Sequence, residues 1–360
     1  ASGELKTKPT QHSVRLLMES GIRADVLVTR TEHTLPKEVK EKLALFCNVK
    51  KGHVIESKDA DSIYEVPFLL HEQDFDEVVL NRLNLPTDQK PDLTAWENFL
   101  DRHKNPKNSV EIALVGKYTA LPDSYKSISE AFTHAGAQTE TEVKIRWVYS
   151  GDLTTENIDS VLKGIDGVLI APGFGDRGID GKIIAANYAR RNKIPTFGIC
   201  LGLQMMVIEF ARNVLGLEDA DTTEINNMTQ HPVINLMEGQ KNITHKGGTM
   251  RLGNWKCQID KNSAVYKAYD EEMIEERHRH RYEFNNEYLE AFEKEKFMAV
   301  GTNPDTALVE IMEYKKLPFY MGVQFHPEYK STVANPHPLF VQFVGAVLMY
   351  KQNKKIHATR

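Results

Sequence analysis

Cysteine is scarce in this 360-residue sequence: Cys47, Cys200 and Cys257 are an odd and small number, which excludes a disulfide framework and fits a reducing compartment. No apolar run approaches the roughly 20 residues needed to cross a bilayer, and no signal-peptide apolar region is present. Basic charge is not in excess. Against 45 Lys and Arg stand 50 Asp and Glu, a net charge of −5, so the whole chain carries no electrostatic footprint for nucleic acid. Internal repeats and low-complexity tracts are missing, as is any G-x-x-x-x-G-K-S/T phosphate loop. What remains is 41% apolar and 26% charged residues in 41.0 kDa, enough for two domains or one large one. A cytoplasmic protein with neither membrane nor nucleic acid as partner is expected.

Three prolines and many charges fall within NLPTDQKPDLTAWENFLDRHKNPKNS, which reads as a linker over 86–108 holding a short helix near 93–103. Before it, 1–85 has a strand-like run at 24–29 and a helical pattern at 37–46. That is small for an independent core. With Ala1 rather than Met at the start, 1–85 is expected to be the end of a longer domain. From 109 to 350 the rhythm becomes strand, helix, strand. Strands are expected at 110–115, 143–149, 167–171, 196–199, 254–259 and 319–325, with helices at 125–135, 182–191, 203–214 and 338–350. Such alternation specifies an α/β fold with a parallel sheet covered on both faces. The residues 351–360 read as a basic, frayed tail.

The chemistry concentrates at two strand ends. In PTFGICLGLQMM an apolar strand runs into Cys200, and Leu201-Gly202 opens a helix, the layout of a nucleophile elbow. Gly198 and Gly202 supply the small residues that a tight turn needs. A thiol there lies at the positive end of a helix, which favours the thiolate, and the Leu201 N–H points where an oxyanion develops. A thiolate needs a base and an orienter, and VQFHPEY offers His326 at a strand end with Glu328 two residues on. Pro327 stiffens the turn so that Glu328 can hold one imidazole tautomer. Functional groups of parallel sheets gather at the carboxyl ends of strands, where both segments fall.

GICLGLQ and VQFHPE resemble the two signature segments of the class I glutamine amidotransferases. That resemblance implies Cys200 as nucleophile, His326 as general base and Glu328 as its orienter, acting on the carboxamide of L-glutamine. It also implies oxyanion donors near Gly173 and Phe174 in Ala171-Pro172-Gly173-Phe174-Gly175, where Pro172 replaces a glycine common in the family. DADTTE, GGTMRLG and ERHRHRYEFN, together with GELKTKPTQHSV and KLALFCNV…KDADSIYEVP, are similar to the CTP synthase family across nearly the whole chain.

This second resemblance implies Gln204, Glu224 and Arg281 as holders of the glutamine backbone groups, a carboxylate for the ammonium and a guanidinium for the carboxylate. It further implies UTP or CTP at Lys6, Thr7, Lys8, Pro9, Thr10, Gln11 and Lys42, ATP at Lys58, Asp59 and Ala60, and GTP as an allosteric effector at Thr249 and Arg251. No metal site is expected in this chain; ATP and Mg²⁺ chemistry belongs to a full-length enzyme, a homo-tetramer in the family. The expected function is glutamine hydrolysis supplying ammonia for ATP-dependent amination of UTP to CTP, with 1–85 as the end of a Rossmann-like synthetase (amidoligase) domain and 109–350 as the glutaminase. Rivals are a glutaminase subunit of another ligase such as GMP synthetase, a non-catalytic glutamine-binding regulatory module, and a cysteine hydrolase of γ-glutamyl peptides.

Overall fold

A computed structural model of the chain describes residues 5–236 and 250–358. It divides into two units, Ala1–Thr94 and Ala95–Arg360. The first holds α1 (Lys8–Glu19), β1 (Leu27–Thr31), α2 (Lys37–Phe46), β2 (Val54–Lys58), α3 (Val66–His71) and α4 (Phe75–Arg82). Strands β1 and β2 pair in parallel. Val14, Leu27, Leu43, Ala44, Cys47 and Val54 form a small core between the helices and this ribbon.

In the second unit, α5 (Thr94–Lys104) is followed by β3 (Asn108–Gly116), α6 (Lys126–Gln138), β4 (Thr141–Tyr149), α7 (Ile158–Val161), β5 (Gly167–Ile170), α8 (Ile179–Arg191), β6 (Thr196–Ile199) and α9 (Leu201–Asn213). Then come β7 (Asp221–Thr222), β8 (Pro232–Leu236), β9 (Arg251–Ile259), α10 (Ala264–Tyr269), β10 (Met273–His280), β11 (Tyr282–Phe284), α11 (Leu289–Lys294), β12 (Phe297–Thr302), β13 (Val309–Tyr314), β14 (Tyr320–Val323) and α12 (Pro338–Ala358). The helix in the proline-rich segment is α5, and its buried Phe99 stacks on His103 and meets His134 of α6.

The main sheet has the order β10-β9-β12-β13-β14-β6-β5-β3-β4 among the described residues. Strands β14, β6, β5, β3 and β4 are mutually parallel, as the strand–helix rhythm implies. The remaining four run antiparallel, a departure from an all-parallel sheet. The links from β12 to β13 and from β13 to β14 hold no helix and are too short for a crossover, so these neighbours must reverse. A small second sheet, β11-β8-β7, lies beside them.

Side chains alternate between faces along each strand, and the core divides accordingly. Val110, Ile112 and Leu114 join a cluster with Phe132 of α6 and Phe340 and Phe343 of α12. Ala113 and Val115 face the opposite cluster with Ile183 of α8 and Met205, Ile208 and Phe210 of α9. Helices α8 and α9 are also clamped by charge: Arg190 donates from both Nε and Nη2 to Glu209, at 2.9 and 2.7 Å, and Asn187 adds a bond of 2.7 Å. The expected frayed tail instead continues α12 to Ala358, since KQNKK contains good helix formers and no proline or glycine.

Three glycines set how closely α9 approaches the sheet. A Cβ on Gly202 would run into the carbonyl oxygen of Ile170, one on Gly198 into the sulfur of Met206, and one on Gly322 would sit 2.5 Å from Leu203 Cδ1. G202A therefore has to move a helix off backbone, not just a flexible side chain. Overpacking of this kind costs about 3 kcal/mol, and urea unfolding of G202A should show a midpoint lowered accordingly, with the slope unchanged.

Candidate active site

Cys200 follows β6 and precedes α9, and its backbone adopts φ 52°, ψ −107°, a region that non-glycine residues rarely enter. Such a conformation costs about 1–3 kcal/mol and persists only where the surroundings impose it. Here the Cys200 N–H donates to Val323 O at 2.7 Å, fixing the turn to β14, while its C=O accepts from Gln204 N–H at 3.3 Å. The thiol thus stands at the amino end of α9, where the helix dipole favours negative charge.

Because β14 is the parallel neighbour of β6, its carboxyl end delivers His326 beside Cys200. Glu328 Oε1 lies 2.7 Å from His326 Nδ1, and both residues are buried. That bond leaves Nε2 as the ring atom available for chemistry. Burial opposes the imidazolium, but the charges of Cys200 and Glu328 and the hydrogen bonds to them outweigh it and raise the pKa to about 11. The ring keeps its proton through the neutral range and loses it only as pH rises through that value. Tyr329 stacks on the imidazole, with centroids 5.3 Å apart.

A narrow cavity of about 30 Å³, room for little more than an ordered water, has Gly173, Phe174, Cys200, Leu201, Gln204, Glu224 and Arg281 in its walls. All six residues expected to serve the oxyanion or the substrate backbone therefore meet at the thiol. A wider cavity of about 290 Å³ shares Gly173, Phe174 and Cys200 and adds Tyr118, Arg279 and His326. Phe174 is exposed and carries the Arg279 guanidinium over its ring at 5.5 Å.

Some participants are not apparent from sequence motifs. Gln324, fully buried, donates from Nε2 to Cys200 Sγ at 3.7 Å and accepts from Gln204 Nε2 at 3.2 Å. Its position inside VQFHPE is the one signal the sequence offers. Gln204 also donates to Tyr282 O at 2.9 Å, so its amide ties the helix to the start of β11, directly after Arg281. The run RHRHR enters strand β10, which has two different faces: Arg277 and Arg279 point outward, while His278 and His280 are buried, and Arg281 follows the strand's end.

Behind those histidines lies a closed charge cluster. Arg251, expected at an effector site, is buried, with Nη2 2.7 Å from Glu310 and Nη1 3.5 Å from Glu283. His278 Nδ1 meets His280 Nε2 at 2.8 Å. Burial pushes Glu283 up to about 8 and Glu310 up to about 7, and it holds both histidines below their usual range. The two carboxyls thus share Arg251, and burial favours their protonated forms. Thr249 lies outside the described residues.

In the first unit, Lys6 and Thr7 precede α1, and Lys8, Pro9, Thr10 and Gln11 form its first turn, where Gln11 Nε2 donates to Thr7 Oγ1 at 3.2 Å. Lys42 is exposed on α2. Lys58 ends β2; Asp59 comes after it, with its N–H on Thr31 O at 3.0 Å and its carboxylate paired with Arg30, and Ala60 is next.

These environments set two measurable properties. Burial pushes the Cys47 and Cys257 thiols up, whereas Cys200 has an imidazolium partner. Limiting iodoacetamide should therefore label Cys200 first, and H326A should slow that labelling at least about tenfold, as read by peptide mass spectrometry. Glu283, ordinarily at 4.5, keeps its proton to about 8 when folded. The folded state then binds more protons in that window, so this group's contribution to stability falls as pH rises through it. E283Q should flatten the fall in urea midpoint between about pH 5 and about pH 8.

A family model described as glutamine amidotransferase class-I matches residues 120–346, and one described as CTP synthase N-terminus matches residues 1–85. The sequence is 60% identical over 348 residues to a CTP synthase of Flavobacterium johnsoniae, covering 97% of this chain and 65% of that protein. A CTP synthase of Cytophaga hutchinsonii is 59% identical over 355 residues, covering 99% and 66%. The chain spans about 65% of the length of the curated relatives it matches. Among solved structures, the glutaminase domain of Trypanosoma brucei CTPS with bound acivicin aligns at a TM-score of 0.63 and 39% identity, covering 66% of this chain and 93% of that one. The elbow, the strand-end histidine and these likenesses agree, and the chain belongs to the class I glutamine amidotransferases, within the CTP synthase family.

Proposed function

We propose that 109–350 hydrolyses L-glutamine at Cys200 and releases ammonia. The observation that carries this is the joining of a strained Cys200, the His326–Glu328 pair at 2.7 Å, and a cavity walled by both Glu224 and Arg281. The Cys200 thiolate attacks the side-chain carboxamide carbon, and the oxyanion is received by N–H groups at Leu201 and around Gly173 and Phe174. His326, charged at rest, gives its Nε2 proton to the departing nitrogen as the C–N bond breaks. The neutral ring then takes a proton from the water that hydrolyses the γ-glutamyl thioester, and glutamate leaves with the thiolate restored. Glu224 faces the substrate ammonium, and Arg281 with Gln204 faces its carboxylate. A site closed around both backbone groups suits free glutamine better than a longer γ-glutamyl peptide.

The relatives' name extends the proposal to the whole protein. Ammonia from Cys200 would aminate UTP in an ATP-dependent reaction giving CTP, in a cytoplasmic homo-tetramer. UTP or CTP would lie against Lys6–Gln11 and Lys42, and ATP against Lys58, Asp59 and Ala60, with 86–108 linking 1–85 to the glutaminase. Mg²⁺ would accompany ATP; among the described residues no cluster of His, Cys, Asp or Glu fits a metal, and no step above is routed through one. GTP would act as effector through the segment containing Thr249 and Arg251. Arg251, buried against Glu310, would transmit that response through the strand it anchors.

The test is glutamate release from glutamine by the purified chain, with and without GTP, beside C200A and R281A. C200A should be inactive. R281A should raise KM about 10- to 100-fold, the range for losing a charged hydrogen-bond partner. Glutamate release by C200A equal to that of the parent chain would overturn the assignment of the nucleophile.

A further inference from the structure

Lys182 lies on α8, outside both signature segments, yet its side chain is completely buried. Lysine is almost never buried to this degree, because an ammonium loses its hydration unless something compensates it. The compensation here is specific: Nζ donates to the carbonyl oxygen of Ala171 at 2.6 Å. Ala171 is the residue after β5, and its own N–H is taken by Val115 O at 3.0 Å. Both ends of its backbone are therefore fixed, one by the sheet and one by the lysine.

The clamp matters because the next residue, Pro172, has no N–H with which to anchor the turn and holds φ near −65°. The direction in which Gly173 and Phe174 present their N–H groups is then set by Ala171 and the proline ring. The ammonium also sits directly behind Gly173: a Cβ there would lie 3.7 Å from Lys182 Nζ and 3.2 Å from Lys117 Cε. Two lysines, one from α8 and one just past β3, thus pack against the glycine that lines both cavities at Cys200. Burial, and after it the charge of Lys117, bring Lys182 down to about 7, while Cys200 opposes the shift.

We propose that Lys182 is a positioning residue for glutamine hydrolysis, holding Ala171 C=O so that the Pro172–Gly173–Phe174 turn aims its N–H groups at the oxyanion formed over Cys200. This rests on the glutaminase function proposed above. Its effect belongs to the transition state, since the carboxamide oxygen gains charge only as the tetrahedral species forms.

K182M keeps the length and apolar stem of the side chain and removes the donor. Losing an oxyanion donor outright costs about 10²–10³ in kcat, so misaiming the turn should lower kcat about 10- to 100-fold. KM for glutamine should stay within about threefold, because Glu224, Arg281 and Gln204 are untouched. Melting temperature should not fall, since a buried charge has been exchanged for a fitting apolar group. Alkylation of Cys200 by iodoacetamide, which forms no oxyanion, should keep its rate to within about threefold. K182Q, which stays polar, is the second variant should K182M fail to fold, and the same tenfold or greater kcat loss at constant KM is expected of it.

A kcat within twofold of the parent chain in a folded variant would overturn the inference. So would losses in kcat, KM, alkylation and melting temperature together, which mark a merely structural lysine. A parent chain that releases no glutamate fails the glutaminase proposal itself and takes this inference with it, whereas an active parent with an equally active variant sinks the inference alone.

Discussion

Everything at the site depends on how tightly the amino end of α9 is pressed into the sheet. Gly198, Gly202 and Gly322 each lack a Cβ where one would strike the neighbouring element, and the contact they permit is what forces Cys200 to φ 52°. The strain is offset by cooperative fixing: a 2.7 Å bond to Val323 on one side and the first helical bond to Gln204 on the other. The same closeness puts the sulfur beside Gln324 and His326, because β6 and β14 are adjacent and in register from Tyr320↔Thr196 to Val323↔Ile199. Close packing of α9 on the sheet, backbone against backbone at Gly202, thus becomes chemistry.

Electrostatics around this crossing is divided into two compartments. On the thiol side, an imidazolium held by Glu328 faces a sulfur at the amino terminus of a helix. Behind β10, Arg251 and the carboxyls of Glu283 and Glu310 are closed off from solvent, and burial favours the protonated carboxyls. The histidines of β10 remain neutral there, so a strand rich in basic residues contributes less positive charge to the site than its composition suggests. Its outward arginines are the members that stay charged towards solvent.

Much of this is legible in the sequence for a physical reason. Strands such as Thr196–Ile199 are buried on both faces, so they appear as short uniform apolar runs, and the glycines flanking Cys200 mark a turn that no larger residue fits. Helix α2 shows the bounds its periodicity implies. The antiparallel half is harder to read. Strand β13 carries Glu310 and Glu313 among its buried residues, a pattern that apolar periodicity does not register. Arg251 in GGTMRLG looks like a surface effector residue because burial of an arginine depends on Glu283 and Glu310, which are 32 and 59 positions away (283 − 251 and 310 − 251). Gln324 and Lys182 escape notice for a similar reason: their importance lies in which backbone or sulfur atom they meet across the fold.

Strand β14 has a further consequence for the order in which the site comes into being. It lies in the middle of the sheet between β13 and β6, yet it is the last strand in sequence among the described residues, and His326 follows Cys200 by 126 positions (326 − 200). During synthesis from the amino terminus, the elbow cysteine exists long before its charge partner. Until β14 inserts, the Val323 carbonyl that holds the elbow is also missing, so the thiol has neither the imidazolium nor the bond that imposes its strained geometry. Non-local strand pairing of this kind forms late because it must overcome the entropy of closing a long loop. The nucleophile is therefore armed by the completion of the sheet, and a partly made chain carries an ordinary cysteine.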